Sequence, residues 1–314
     1  MPIPLLVAIE LSPDHRSFIK GAGFEVYAAP TVSERAEIIR SRGDEIRAVL
    51  TNGTTGFGAH EIASLPNLEI ICALGAGYEN VGVAAARARG IIVTHGPGAN
   101  AASVADHAMA LLMSIARDVV QSDAAVRRGD WVRARHMRPM ISGKKLGILG
   151  LGNIGEQIAK RGFGGFGMPI AYHSRKPRDG SPWLHLPTPT ALAEWSDYFV
   201  VATPGGAATR RLVGTAVLDA LGPEGFLINI ARGSVVDTAA LIEALRDGRI
   251  AGAALDVIDG EPEVPSELIA LRNVIITPHL AGLSPEAVQA TVQLVLNNLQ
   301  AHFRGRPVLT PVIG

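Results

Sequence analysis

Short apolar runs alternate with helix-like stretches along this chain, and the alternation is set up twice. In the first hundred residues the runs are LLVAIEL, FEVYAA, RAVLTN, LEIICAL and GIIVTHG. Between two of them, SERAEIIRSRG has a serine start and a glycine stop, the marks of a helix. The pattern restarts at Lys144 with KKLGILGLGNIG, then MPIAYHS, YFVVAT, GFLINIA, IAGAALDV and NVIITPH. Strand, helix and strand repeated in this way commit a chain to parallel sheets with helices on both faces. The class predicted is α/β, with two doubly wound parallel-sheet domains. One is residues 99–282. The other is discontinuous, residues 1–98 plus 283–314, because SPEAVQATVQLVLNNLQAHFRG reads as a closing helix that packs back on the first domain.

Composition narrows the class of partner. The 314 residues carry 29 basic and 29 acidic side chains, which gives no footing for nucleic acid or an anionic membrane surface. No stretch approaches the roughly 20 apolar residues that span a bilayer, and MPIPLLVAIELSPDH has no basic leader. Cys72 is the single cysteine, so no internal disulfide forms, which fits a reducing compartment. The expectation is a soluble, cytoplasmic protein. Cys72 lies in an apolar run and reads as packing rather than as a nucleophile. His60, His95, His107 and His136 have no metal-ligand spacing with Cys or acidic partners, so no metal is expected.

SVADHAMALLMSIARDVVQSDAAVRRG, residues 103–129, reads as one long helix, apolar around much of its circumference. Such a helix must be buried, against a domain junction or against a second subunit. GDWVRARHMRPMISG follows as an irregular basic arm carrying Trp131 and Arg133 to Arg138, most simply a subunit contact.

Gly150, Gly152 and Gly155 form G-x-G-x-x-G directly after the run KLGIL. In such a turn the first glycine allows a tight reversal and the second lets backbone approach a pyrophosphate. The third packs helix against strand, and the helix N-terminus offers free N–H groups to the phosphates. The next strand of a site of this kind usually ends on an acid that grips the ribose hydroxyls of NAD. Here that place holds Ser174, Arg175 and Lys176. They read either as a solvated loop or as a receptor for a 2′-phosphate, which an acid would repel and Arg and Lys attract. The second reading predicts NADP(H) in preference to NAD(H).

Three later strands each end in a charged or titratable group. INIARGSVVD gives Arg232, GAALDVIDGEPEVP gives Asp256 and Glu261, and VIITPHLAG gives His279. In a doubly wound sheet the carboxyl ends of the strands share the edge where ligands bind, so these groups could converge beside a nicotinamide.

GLGNIG, NIARGSVVD, AALDV with EP five residues beyond the aspartate, and TPHLAG together resemble the D-isomer-specific 2-hydroxyacid dehydrogenase family. GAGYENVGV and VADHAMALLMSIAR resemble its substrate-loop and helix signatures, and the Ser-Arg-Lys triplet resembles its NADP-dependent glyoxylate/hydroxypyruvate reductase branch. The resemblance covers almost the whole chain. It implies a flavodoxin-like catalytic domain, a Rossmann nucleotide domain, a cleft between them, and a homodimer built through residues 101–143. It also implies roles. His279 would be the general acid/base, Glu261 would orient it and favour its protonated form, and Arg232 would fork onto the substrate's carboxylate and carbonyl. Backbone N–H groups of Leu74, Gly75, Ala76 and Gly77 would receive the carboxylate, and Asp256 would hydrogen-bond the nicotinamide carboxamide. Further cofactor contacts fall on Leu151, Asn153 and Ile154 in the turn, and on Thr203, Pro204, Thr209, Ile230, Ala231, Arg232, His279 and Gly282 beyond it.

The activity implied is reduction of a small 2-keto acid, glyoxylate or hydroxypyruvate, to the D-2-hydroxy acid with NADPH. Formate dehydrogenases of similar sequence pair their histidine with glutamine, so Glu261 points to a 2-keto/2-hydroxy acid couple. The rival readings are a 2-ketogluconate or broad 2-ketoacid reductase and, in a different class, a dinucleotide-sensing regulator without turnover.

Overall fold

In the computed structural model, which describes residues 2–313, the chain forms two compact units. One is Met1–Asn100 with Leu283–Gly314, the other Ala101–Gly282. The first holds strands β1 (Ile3–Val7), β2 (Phe24–Ala28), β3 (Ala48–Asn52), β4 (Ile70–Leu74) and β5 (Ile92–Thr94). They lie in the order β2-β1-β3-β4-β5, every pair parallel. Helices α1 (Pro13–Gly21), α2 (Val32–Arg42), α3 (Ala59–Ala63) and α4 (Val83–Ala88) make the crossovers. The strands read as unbroken apolar runs because both faces are covered. In β1, Leu5 and Val7 pack with Val292, Val295 and Leu299 of the C-terminal helix Pro285–Phe303, while Leu6 packs with Ile62 and Leu65 on the other face.

Helix α2 starts two residues earlier than its serine suggests. Thr31 is the cap, because Glu34 then stands three residues on and closes a reciprocal box with the Thr31 backbone N–H. Cys72 is fully buried among apolar neighbours, and burial pushes its thiol up to about 12, so it is a packing residue.

The second unit begins with α5 (Ala101–Ala116) and α6 (Val119–Arg127). The single helix expected over 103–129 is therefore two. Asp118 breaks it by taking a left-handed conformation, φ 55°, which Asp tolerates better than most residues. The break separates two environments. Helix α5 buries Val104, Met109, Leu111, Leu112 and Ile115, each worth roughly 1.5–3 kcal/mol when removed from water. Helix α6 buries none of its residues, and Val119, Val120 and Val126 are exposed. The arm at 131–143 has neither helix nor strand, and Trp131, Val132, Met137 and Met140 project into solvent.

The remaining elements alternate. They are β6 (Leu146–Leu149), α7 (Asn153–Phe166), β7 (Ile170–His173), a two-residue β8 (Leu184–His185) that has no apolar signature, α8 (Pro189–Trp195), β9 (Tyr198–Val201), α9 (Thr215–Leu221), β10 (Phe226–Asn229), α10 (Thr238–Arg246), β11 (Gly252–Leu255), α11 (Ser266–Ile269) and β12 (Val274–Ile276). The sheet order is β12-β11-β10-β9-β6-β7-β8, all parallel. Chain order reverses between β6 and β9, and the carboxyl ends beside such a switch point are where doubly wound sheets take their ligands. No helix of the described residues is long and apolar enough to cross a membrane.

Candidate active site

The turn from β6 into α7 shows why three glycines are spaced as they are. Gly150 has φ +103°, and a Cβ there would lie 2.8 Å from the backbone of Ala202 and Thr203 at the end of β9. A Cβ on Gly155 would meet the Gly150 carbonyl oxygen at 2.1 Å, so this glycine sets the helix-to-strand distance. Gly152 differs, because a Cβ there would meet nothing within 4 Å. The protein's own packing does not call for glycine at 152. A phosphate lying over the N-terminus of α7 does, and with Leu151, Asn153 and Ile154 alongside, the turn fits a dinucleotide.

Strand β7 lies beside β6, and the Gly150 N–H donates to the His173 carbonyl at 2.9 Å. Ser174 thus begins the loop next to the glycine turn, and no acid stands there. Its hydroxyl donates to the Lys176 carbonyl at 2.7 Å, which closes a tight turn with Arg175 and Lys176 exposed. Two further groups shape this loop. His185, on β8, donates through Nε2 to the Ser174 carbonyl at 3.1 Å. Arg178 reaches back to the Leu151 carbonyl and to Glu156, both at 3.3 Å. Neither was legible in the sequence, since β8 is too short to register and Arg178 is one more cation in a basic loop.

Arg232 follows β10, Asp256 and Glu261 follow β11, and His279 follows β12, so the sheet brings all four to one edge. Asn229, 1% exposed, pins the Arg232 turn by donating to the Arg232 carbonyl at 3.1 Å and accepting from the Ala231 N–H at 3.1 Å. Gly233 lets this turn lie against the next loop, because a Cβ there would sit 1.9 Å from the Ile258 carbonyl carbon. On the other side a Cβ at Gly205 would be 2.8 Å from Arg232 Cγ. That loop carries Thr203, Pro204 and Thr209, whose hydroxyl donates to the Pro204 carbonyl at 2.7 Å. Ile230 and Ala231, the two residues before Arg232, are buried, and Gly282 lies three residues past His279 in the chain.

His279 and Glu261 form the centre of this edge. Nδ1 of the imidazole is 2.5 Å from Glu261 Oε1, and both side chains are about one-third exposed or less (33% and 28%). Burial, the largest influence on Glu261, pushes its carboxyl up. The hydrogen bond and charge of His279, the Ile258 N–H and the Arg232 charge together outweigh it, and the carboxyl lies below its ordinary range. An ionised carboxylate only accepts, so Nδ1 carries the proton and Nε2 is left for acid/base work. The pair therefore persists down to a pH below the usual carboxylate range and is lost as pH falls through the depressed Glu261 value.

Asp256 is engaged in an unexpected way. It is 1% exposed, and its Oδ1 accepts from the Thr277 hydroxyl at 2.6 Å and the Leu280 N–H at 3.0 Å. Oδ2 accepts from the Ala281 N–H at 3.0 Å. It therefore clasps the loop that carries His279. A carboxylate has about four acceptor positions, so Oδ2 keeps an acceptor position, although at 1% exposure the group presents almost no open face to a carboxamide in this structure.

Leu74–Gly77 belong to the first unit, at the carboxyl end of β4. Gly75 turns the chain at φ +91°. Its carbonyl accepts from the Gly96 N–H at 2.6 Å, and His95 Nδ1 donates to the Ala76 carbonyl at 3.0 Å. His95 is thus a brace for this loop. Among the described residues no group of three or more His, Cys, Asp or Glu side chains is arranged to hold a metal ion.

A parallel sheet reversing at a glycine phosphate turn, with a histidine–carboxylate pair and an arginine on its ligand edge, has the architecture of a dinucleotide-dependent dehydrogenase. The model of the family described as D-isomer specific 2-hydroxyacid dehydrogenase, NAD binding domain, matches residues 109–281. The chain belongs to this family. It is 41% identical over 284 residues, 90% of each chain, to a glyoxylate/hydroxypyruvate reductase of Arabidopsis thaliana. It is 40% identical over 278 residues to the 2-ketogluconate reductase of Gluconobacter oxydans, covering 88% of this chain and 89% of that one. Among solved structures it resembles the NADPH-dependent glyoxylate/hydroxypyruvate reductase of Sinorhizobium meliloti in complex with NADP and malonate. That match has a TM-score of 0.91 and 38% identity over 99% of this chain and 97% of the other.

Proposed function

We propose that this protein reduces glyoxylate or hydroxypyruvate to the D-2-hydroxy acid with NADPH. The observation that carries the reading is the 2.5 Å contact between His279 and an ionised Glu261, with Arg232 near enough for its charge to act on the same carboxylate. NADPH, when bound along the Gly150–Gly155 turn, supplies the hydride. Arg232 forks onto the keto acid, holding its carboxylate and polarising the carbonyl. His279 gives a proton from Nε2 to the carbonyl oxygen, and Glu261 holds the ring and balances its positive charge. Leu74–Gly77 receive the substrate carboxylate through backbone N–H groups, and Asp256 fixes the nicotinamide face through its carboxamide. The relatives named above support the substrate class.

Initial rates at 340 nm with glyoxylate, hydroxypyruvate, pyruvate and 2-ketogluconate test the reading directly. Faster turnover of 2-ketogluconate would move the assignment to the activity of the Gluconobacter relative. NADPH binding without turnover of any acid would indicate a dinucleotide sensor.

The basic turn sets the cofactor in this reading. Arg175 donates to the 2′-phosphate and Lys176 adds charge, and the Ser174 hydroxyl joins them by turning its one proton from the Lys176 carbonyl to the phosphate. Replacing Arg175 by alanine removes a charge-assisted bond worth roughly 1.5–3 kcal/mol, so KM for NADPH should rise about 10- to 100-fold. KM for NADH should stay put, and Ser174→Asp should favour NADH outright. Equal changes with both cofactors would leave the triplet as a solvated loop.

The exposed apolar side chains of α6 and the arm support a homodimer built on Val119, Val120, Trp131 and Met137. Sedimentation at micromolar concentration should give twice the 32.9 kDa chain mass. A single-chain mass would remove the dimer, and Trp131→Asp should weaken it. A cytoplasmic location accords with use of a soluble keto acid and reduced dinucleotide.

A further inference from the structure

His279 occupies a backbone conformation that costs energy. Its φ is +52°, the left-handed region that a non-glycine residue enters only when its surroundings hold it there. The loop around it, Thr277 to Ala281, is held from two sides. Asp256 takes the Thr277 hydroxyl and the Leu280 and Ala281 N–H groups, as described. The other side is α5, more than 150 residues away in sequence. There Ser103 Oγ donates to the Ala281 carbonyl at 2.7 Å, and His107 Nε2 lies 3.0 Å from Thr277 Oγ1 and 3.3 Å from Asp256 Oδ1. Ser103 and His107 are four residues apart, so they stand on one face of α5, one turn from each other. They grip the two ends of a five-residue loop whose middle residue is His279.

The direction of these bonds is fixed by proton counting. The Thr277 hydroxyl has a single proton, given to Asp256 at 2.6 Å, so toward His107 its oxygen accepts. Nε2 of His107 is therefore the protonated nitrogen, and the ring acts here as a donor to Thr277 and Asp256.

We propose that Ser103 and His107 are positioning residues for the proton transfer: they hold the 277–281 loop so that His279 keeps its left-handed backbone and its hydrogen bond to Glu261. The proposal rests on His279 being the acid/base of the reaction. Neither residue touches the reacting atoms. Helix α5 is itself buried against α7 and the sheet strands β10, β11 and β12, so the loop is tied to the packed core of its unit. A misplacement of order 1 Å at a reacting group can cost up to about 10²-fold in rate, which sets the size of the expected effect.

The test compares His107→Phe, which keeps ring volume without a donor, His107→Gln, which restores one, and Ser103→Ala, with His279→Asn as control. Each is examined for kcat and KM on glyoxylate, NADPH binding by fluorescence, the solvent deuterium isotope effect on kcat, and amide exchange at residues 277–281. For His107→Phe the expected result is a kcat lowered by about 10- to 100-fold. NADPH binding should be unchanged, the solvent isotope effect larger, and exchange at Leu280 and Ala281 faster. His107→Gln should recover most of the rate, and Ser103→Ala should show a smaller loss of the same kind. An unchanged kcat, an unchanged isotope effect, or a loss shared equally by kcat, NADPH binding and melting temperature would overturn the proposal. A fully active His279→Asn protein would instead remove the acid/base reading, and with it the catalytic half of this one. The exchange rates at 280 and 281 would still accept or reject the tether by themselves.

Discussion

Replacing His279 by asparagine is expected to lower kcat for keto-acid reduction by about 10²–10⁴, the usual worth of a placed general acid. Asparagine is chosen for a backbone reason. At φ +52° most residues are strained, but Asn enters the left-handed region readily, so the loop keeps its path and only the chemistry is removed. Among the described residues the cofactor turn on β6 and α7 shares no hydrogen bond with His279, which is one contact of many for the dinucleotide, so NADPH affinity should largely hold. Stopped-flow absorbance with saturating NADPH separates the two quantities. A kcat like that of the wild type would remove His279 from the mechanism, and a collapse of NADPH binding would mean that the substitution acts through the fold.

The second large effect is expected at Arg232. Two charge-assisted bonds to a keto acid, at roughly 1.5–3 kcal/mol each, correspond to about 10²–10⁴ in kcat/KM, lost in Arg232→Ala. Arg232→Lys keeps the charge but loses the planar fork, so its kcat/KM should stay well below that of the wild type. The alanine variant carries a further signature. The Arg232 charge helps to keep the Glu261 carboxyl low, and without it that value rises. The acid-side loss of activity should therefore begin at a higher pH than in the wild type, whereas in Arg232→Lys it should move less. A pH profile of kcat/KM for the three proteins checks both points. An unshifted acid limb in Arg232→Ala would mean that Glu261 protonation does not set it.

Arg232, Glu261 and His279 stand at places along the chain that the sequence alone marks. Each follows an apolar strand run, and a parallel sheet must place strand ends of one direction on one edge. What was not readable is how each is held. Asn229 beneath the Arg232 turn, the clasp of Asp256 on the 277–281 loop, and the reach of Arg178 to Leu151 are contacts between side chains and backbone of other segments. The helix expected over 103–129 failed for a related reason. Local periodicity runs on through Asp118, and the burial that distinguishes α5 from α6 comes from helix α7 and the sheet, against which α5 packs.

The sequence by itself determined two series of buried parallel strands, a glycine turn opening a helix, no acid at Ser174, and an Arg, a Glu and a His at strand ends. Each of these is local, set by residue type and by spacing within a few positions. Tertiary structure alone decided what fixes His279. His107 meets Thr277 across 170 residues and Ser103 meets Ala281 across 178. Their residue types say only that a polar group on a buried helix must find a partner, and the packing of α5 on the sheet chooses which partner that is.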